Sequence, residues 1–496
     1  MRHRLSVLLM TAILVSALIP GRVAAQTDSS SQAIAQLDKR LEELRAEMNK
    51  IEEQLNELKA AKGAPPSTAA GASTAAASSG QEGTIRTSQP PAQGPTSKQV
   101  GAATATYSQF SEDTLAAARY NNVPLDPKYH GFFILPGTQT LLKIGGYFKT
   151  DFIEDLKPAG NTDSFIPSSF PAPQSTSVNN STVSVRPTRL SLDFRVPSAK
   201  LGEVRFYLEG DLFGTNATTP RLRHAYAQVR NLLVGQTFSN FMDPDAFPDT
   251  LDFQGPNGMV SIRNPQLRYG FALSPSTTLY LSVEKPSSDV SFKPPSASVQ
   301  SNAPGPDGAI RLRQEFERGH IQVAAVFRSI QASVTTAPPK LDNVFGWGIN
   351  ASTGFRTFGK DNAIFAVAAG HGISRYLQDT SGLGIDAEPD SSTSLKATPA
   401  IGVEASYQHY WFKRLRSSAI YSYAAVDNTS FTSAAAAPYN HGTYTGANMI
   451  WNPYGTLNVG AEFLYGWTVL QNGQSANVPR IQFSAKYSFV KTDPDR

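Results

Sequence analysis

Two hydrophobic periods divide the chain. Between residues 34 and 58 the apolar positions step by three and four. Ile34, Leu41, Met48 and Leu55 fill one register, and Leu37, Leu44, Ile51 and Leu58 fill the other. That two-position seam of nearly four heptads predicts a coiled-coil helix, because a helix resting on a globular surface carries a wider apolar stripe. In a parallel bundle Arg40 faces Arg45 and Glu47 faces Glu52, so charge pairing does not specify a homo-oligomer. The mixture of Leu, Ile and Met leaves the number of helices open.

Beyond Thr140 the period becomes two. Leu142, Ile144, Phe148 and Phe152 alternate with Lys143, Tyr147, Lys149 and Asp151. Leu190, Leu192, Phe194 and Val196 alternate with Arg189, Ser191, Asp193 and Arg195. The same pattern recurs around Phe206 and again from Arg480 to the aromatic end at Phe489. Each run is about 9 to 13 residues, the reach of a tilted strand across a bilayer. One face is apolar and the other carries charges of both signs.

Connection lengths alternate as well. Long connections fall near 154–182, 239–260, 285–308, 331–341, 374–397, 427–440 and 469–478, with a moderate one near 213–220. Short links lie between them at 197–202, 274–276, 318–319, 411–413 and 452–455. Long loops at one end and tight turns at the other are the asymmetry of outer-membrane barrels. A soluble sandwich or propeller has no reason to alternate loops in this way, or to place Trp411, Phe412, Trp451, Tyr454, Tyr487 and Phe489 at strand ends, where an aromatic belt sits. The count is sixteen strands, although strands four to six lack clean alternation. The fold class is therefore all-β, a 16-stranded antiparallel transmembrane β-barrel over 140–490 with an N-terminal α-helical coiled coil over 26–61.

The remaining segments follow from composition. Residues 1–25 read as a secretory signal: Arg2 and Arg4 precede an apolar stretch, and Val23, Ala24 and Ala25 supply a cleavage site. That apolar stretch is shorter than the ~20 residues of a spanning helix. Residues 62–106 are rich in Ala, Ser, Thr, Gly and Pro and read as a linker; 107–139 lead into the barrel, and 491–496 form a tail. Export with a barrel places the protein in the outer membrane, in contact with its lipid, with the N-terminal region in the periplasm.

Removal of Arg2, Arg4 and Arg22 with the signal brings the formal charge from +4 to +1, which offers no bulk attraction for nucleic acid. The absence of cysteine rules out disulfides, thiolate metal sites and a cysteine nucleophile. The seven histidines show no metal spacing, and no Gly-x-Ser-x-Gly elbow or phosphate loop is present, so neither an enzyme nor a cofactor is indicated.

Chemistry points instead to the lumen, which sixteen strands make wide enough for water. Its predicted lining includes Lys143, Lys149, Arg189, Arg195, Arg205, Arg223, Arg311, Arg313, Arg480 and Lys486, with Asp151, Asp193, Glu209, Asp211, Glu284 and Glu315 on the same faces. Guanidinium forks accept carboxylates bidentately, which favours anionic organic solutes; pairing with lumen acids would equally well only keep the interior wet. The third outer connection, counting the moderate one, holds Asp243, Asp245, Asp249 and Asp252, and Arg263 and Arg268 follow. Folded inward, its four acids would face the arginine wall as a constriction. A calcium site is the alternative, although the Asp-x-Asp-x-Asp-Gly pattern is missing.

The segments LKIGGYFKTDF from Leu142, RLRHAYAQV from Arg221, GQTFSNFMDPDAFPDTLDFQGPNG from Gly235, RLRQEFERGHIQVAAVFR from Arg311, SYQHYW from Ser406 and FSAKYSF ending at Phe489 resemble the DcaP-like family of outer-membrane porins. The resemblance implies a trimeric 16-stranded porin whose lumen favours small anions such as dicarboxylates, with Arg263 and Arg268 facing the channel. Seven residues follow Phe489, whereas such barrels often end on the terminal aromatic. Two other readings stay open: a tether in which the coiled coil contacts the cell wall, and a sugar-specific porin marked by a ladder of lumenal aromatics.

Overall fold

The computed structural model describes residues 131–489, apart from 175–177, 216–217, 292–298, 303, 335–339, 391–393 and 429–437, together with Ala46, which is helical. The heptads otherwise lie outside the described residues, as do the signal, the linker and the tail. Two compact units divide the chain, and every element below belongs to the second, Ala92–Arg496.

Among the described residues sixteen antiparallel strands form one closed wall. They are β1 (Leu141–Asp155), β2 (in two pieces, Asn180–Ser184 and Arg189–Ser198), β3 (Gly202–Asp211), β4 (Arg221–Val229), β5 (Leu232–Phe238), β6 (Arg263–Ala272), β7 (Thr277–Glu284) and β8 (Val299–Asn302 and Asp307–Phe316). The second half comprises β9 (Gly319–Val334), β10 (Lys340–Arg356), β11 (Asn362–His371), β12 (Pro399–Phe412), β13 (Leu415–Val426), β14 (Tyr439–Tyr454), β15 (Leu457–Leu470) and β16 (Ser475–Ser488). Each strand pairs with its sequence neighbours, and β1 closes on β16 from Tyr147 opposite Ser488 to Asp155 opposite Arg480. Closure leaves no exposed sheet edge. Where β2 changes piece, Gly146 of β1 adopts φ +116°, and a Cβ there would lie 2.2 Å from the Arg189 carbonyl oxygen, so only glycine fits.

The wall is inside out relative to a soluble protein. Along β1, Phe148 and Phe152 are about half exposed on the outer face, while Tyr147, Lys149 and Asp151 are buried on the inner one. Leu208, Val323, Ile349, Val367, Phe463 and Phe483 continue the outer face. Alternation over a period of two is what a strand with lipid on one side and a polar lumen on the other requires.

At one end the strands are joined by short turns at 199–201, 230–231, 273–276, 317–318, 357–361, 413–414 and 455–456. Two of these, 230–231 and 357–361, escape the sequence pattern. Strands β4 and β5 hide their turn because the outward positions are Ala225 and Ala227, while Tyr226 and Leu233 point inward into a small cluster with Tyr207. Apolar and polar character therefore do not alternate there. The other end carries L1 (156–179), L2 (212–220), L3 (239–262), L4 (285–298), L6 (372–398) and L7 (427–438), whereas the connections expected to be long at 331–341 and 469–478 shrink, because the strands run on to Val334 and Leu470, to L5 (335–339, outside the described residues) and the four-residue L8 (471–474).

Candidate functional site: the lumen

L3 turns into the barrel, and its acids explain how it stays there. Asp243 accepts from Ser352 Oγ at 2.6 Å and lies 2.8 Å from His320 Nε2 and 3.1 Å from Arg313. Asp245 meets Arg313 at 2.6 Å. Asp249 accepts from Arg416 at 2.5 Å and from Gln408 at 2.6 Å. The Leu251 carbonyl accepts from Lys149 Nζ at 2.6 Å and from Gln482 at 2.9 Å. Glu462 of β15 accepts from the Leu251 and Asp252 amides at 2.9 and 2.8 Å. The loop thus runs along the inner wall from β8 through β13 to β16 and β1.

This arrangement matches the expected opposition of four acids to an arginine wall only in part. Asp243 and Asp245 do meet an arginine of that wall, Arg313 of β8, but Asp249 turns to Arg416 of β13 and Asp252 to backbone amides, and no three ligand-type side chains converge among the described residues. Removing one member of such a buried pair strands a charge, at about 3–5 kcal/mol. Burial opposes the charge of Asp243, yet His320, Arg313 and Ser352 outweigh it and hold this carboxyl well below its usual range. Asp252 is the opposite case. It accepts from the amides of Phe165 in L1 at 3.0 Å and of Gly255 at 2.9 Å, and burial pushes it up to about 6.

L6 also folds inward, which the sequence pattern does not foretell. Val260 of L3 bridges to Leu377 of L6, and Ile373, Tyr376 and Leu377 are fully buried with Phe241 and Met242. The two loops form an apolar plug against small inward residues, Ala309, Ala324, Ala368 and Ala400. L3 presses close enough that a Cβ on Gly402 of β12 would lie 2.1 Å from the Gly258 oxygen. Arg328 of β9 fastens L6, reaching Asp386 at 2.9 Å and Asp307 at 3.2 Å. Asp379 ties L6 to L1 and β14 through the Ser168 amide at 2.9 Å and the Tyr439 hydroxyl at 2.9 Å; burial pushes it up to about 6.

The opposite inner wall, β2 to β8, gathers the arginines. Arg195 and Arg205 stand directly opposite each other, a repulsive pairing that Asp193 relieves by accepting from both at 2.8 and 2.9 Å. Arg223 meets Glu209 at 2.7 Å and Asp211 at 3.1 Å, and Arg189 lies 3.6 Å from Glu209. Arg311 and Arg268 sit over the same Tyr280 ring, at 4.1 and 5.9 Å. Arg311 has no carboxylate within 4 Å among the described residues. Arg263, half-buried where L3 rejoins the wall, lies 5.0 Å over Phe238, and Lys143 sits at the short-turn end, 5.4 Å over Phe132. Guanidinium groups also cover Tyr147, Tyr207 and Tyr226, so these inward rings offer no bare ladder.

Sequence reasoning places twelve basic residues in the lumen, Arg480 and Lys486 of β16 among them and both buried, and misses Arg328, Arg375 and Arg416. The signal is blurred because the wall beneath the plug is apolar: Val326, Ile330 and Ala332 point inward beside Arg328. The apolar run of Ile373, Tyr376 and Leu377 inside a long loop is the clue that L6 is buried.

The sequence matches the model of the DcaP outer membrane protein family over residues 134–489. Among solved structures, the outer membrane channel DcaP of Acinetobacter baumannii is similar at 24% identity and a TM-score of 0.63, covering 72% of this chain and 99% of that one. An anion-selective porin from Comamonas acidovorans aligns at 10% identity and a TM-score of 0.47, over 71% of this chain and 100% of that one. OmpT of Vibrio cholerae aligns at 11% identity and 0.44, over 72% and 99%. No curated protein matches.

Proposed function

The chain belongs to the DcaP outer membrane protein family and is an outer-membrane channel of that type, and from that premise we propose that it passes small negatively charged organic solutes, dicarboxylates among them, by passive diffusion past the β2–β8 wall. The observation that carries the reading is the division of the lumen. The acids of L3 are taken up by partners of their own, Asp243 and Asp245 by Arg313 and Asp249 by Arg416, while Arg311 and Arg268 share one tyrosine face on the β2–β8 wall. A carboxylate entering between two guanidinium groups relieves their mutual repulsion and takes charge-assisted hydrogen bonds from a preset fork. The covered tyrosine faces favour this solute class over sugars, which stack on bare rings.

Reversal potentials across planar bilayers in a salt gradient test the proposal. The wild type is expected to prefer chloride over potassium and to be blocked briefly by succinate. Arg311→Glu is expected to move the permeability ratio toward cations by about fivefold, on the order of 1 kcal/mol. Cation preference in the wild type would overturn the reading.

The proposal extends to a homotrimer. Strands β4, β5 and β7 hold 9, 7 and 8 residues, against 14 to 17 for β9, β10, β12 and β14 to β16. Seven tilted residues rise only about 18 Å, short of the ~25 Å apolar band of such barrels. A low wall of this kind calls for cover by neighbouring copies, and a hollow of about 290 Å³ lies on its outer face between Phe194, Phe206 and Val234. The 34–58 heptads would extend into the periplasm toward the cell wall. Deleting residues 26–106 should leave conductance intact.

A further inference from the structure

The short-turn end carries a charge pattern that the channel reading does not use. Its turns and their flanks expose Lys200, Arg230, Arg318, Lys360, Lys413 and Arg414. The acids in the same turns are Glu317 and Asp361, and Asp361 is buried. Its carboxylate accepts from the Tyr407 hydroxyl at 2.8 Å and the Tyr410 amide at 2.8 Å, and His409 Nδ1 lies 2.7 Å away. Glu203 and Glu315, which flank the turns, are engaged by Arg195 and Arg313, so among the described residues the exposed charges of these turns are six cations and Glu317. By contrast, the long-loop end mixes Lys285 and Lys396 with exposed Asp390 and Asp427 among the described residues.

Two of these cations are braced between turns, which holds them at the rim. Arg230 donates to the Lys200 carbonyl at 3.4 Å, and Arg414 donates to the Pro453 carbonyl at 3.3 Å. Just beside them on the outer face lie Trp411, Trp451 and Tyr454, with Phe358 at a turn tip, all half exposed or more. Aromatic rings of this kind sit at the headgroup level of a bilayer and fix its depth. With that depth set, the turn cations lie at the plane of the lipid phosphates.

We propose that the short-turn rim is a docking surface for the headgroups of anionic phospholipids, a ring of cations on the lipid phosphates above an aromatic belt. His409 adjoins this ring. It faces outward beside Trp411, whose ring lies 4.6 Å away at 88°, and Asp361 orients its imidazole. Juxtamembrane cations attract acidic lipid surfaces, and the attraction is screened by salt. The charge asymmetry also orients the barrel, with the short turns in the leaflet that contains acidic phospholipid. The inference stands independently of what the lumen conducts.

Spin-labelled phosphatidylglycerol and phosphatidylcholine, added to the full chain reconstituted in neutral lipid, read the preference directly. The wild type is expected to retain the glycerol lipid in its motionally restricted shell about threefold more than the choline lipid at low salt. High salt should erase that difference. Reversing the six cations to Glu should abolish it, whereas Lys285→Glu with Lys396→Glu at the other end should leave it in place. If the six-site variant does not assemble, Lys413→Glu with Arg414→Glu alone should lower the preference measurably. Single-channel conductance, which the rim does not govern, reports that the barrel is intact. Equal retention of the two lipids by the wild type, or an undiminished preference in the rim variants, overturns the proposal.

Discussion

At the scale of single residues, two lumenal side chains make opposite demands on their surroundings. Arg311 is held on Tyr280 beside a like charge, so its value lies in what it attracts, and Arg311→Gln should weaken succinate block while leaving the thermal midpoint of the barrel almost unmoved. Asp252 is instead a buried carboxyl that keeps its proton to higher pH. Its folded value of about 6 exceeds the ordinary 3.8, so the stability it lends is complete below 3.8 and is lost as pH rises through 6. Asp379 shares this window. The thermal midpoint of the wild type is therefore expected to fall across that interval, and Asp252→Asn with Asp379→Asn should flatten the decline. A midpoint that rises with pH there would contradict the assignment. The identities of these groups were legible as charged residues, but their partners were not. Four acids spaced through one loop look alike in sequence, and only the path of L3 along the wall separates the anchored Asp243 and Asp249 from the amide-bound Asp252.

At the scale of elements, the strands were readable wherever one face met lipid and the other met charge, as in β1, β2, β3 and β16. The reading failed where lumen chemistry turned apolar. Tyr226 and Leu233 point inward in β4 and β5, and Val326 and Ile330 do so in β9, so the period of two carries no contrast in polarity. The inward path of L3 was anticipated; that of L6 was not, because a loop that packs inside a barrel obeys neither strand nor surface statistics. The glycine pair where L3 meets β12 offers a test of how firmly the plug is seated. Gly402→Val forces the backbone of Gly258 away, and overpacking of this kind costs about 1–3 kcal/mol. The expected outcome is a lower thermal midpoint and an altered, noisier single-channel current. An unchanged trace would mean that L3 does not bound the conducting path.

For the whole molecule, the period of two, the alternating connection lengths and the count of sixteen were all legible, because they express the geometry of a wall between lipid and water. The interior arrangement was not, since it depends on contacts between loops and strands more than two hundred residues apart, such as Asp252 of L3 with Glu462 of β15. One consequence of the outward pattern is directly measurable. All four tryptophans, Trp347, Trp411, Trp451 and Trp467, face outward and are 40 to 58% exposed. Trp411 and Trp451 sit toward the short turns, and Trp347 and Trp467 toward the loops. Lipids brominated along their acyl chains should quench nearly all of the emission, and aqueous iodide should quench little. Strong iodide quenching would place these rings in water and refute the membrane-facing surface.

The first strand hydrogen-bonds to the last, and Arg480 meets Asp155 at 2.6 Å in that seam with both side chains fully enclosed. Two loops lie inside the cylinder so formed. Assembly becomes a final, all-or-nothing event that waits for the tail of the polypeptide. A chain lacking residues 475–488 would be left as an open trough, with its packing material exposed and two raw borders ready to join the wrong neighbour.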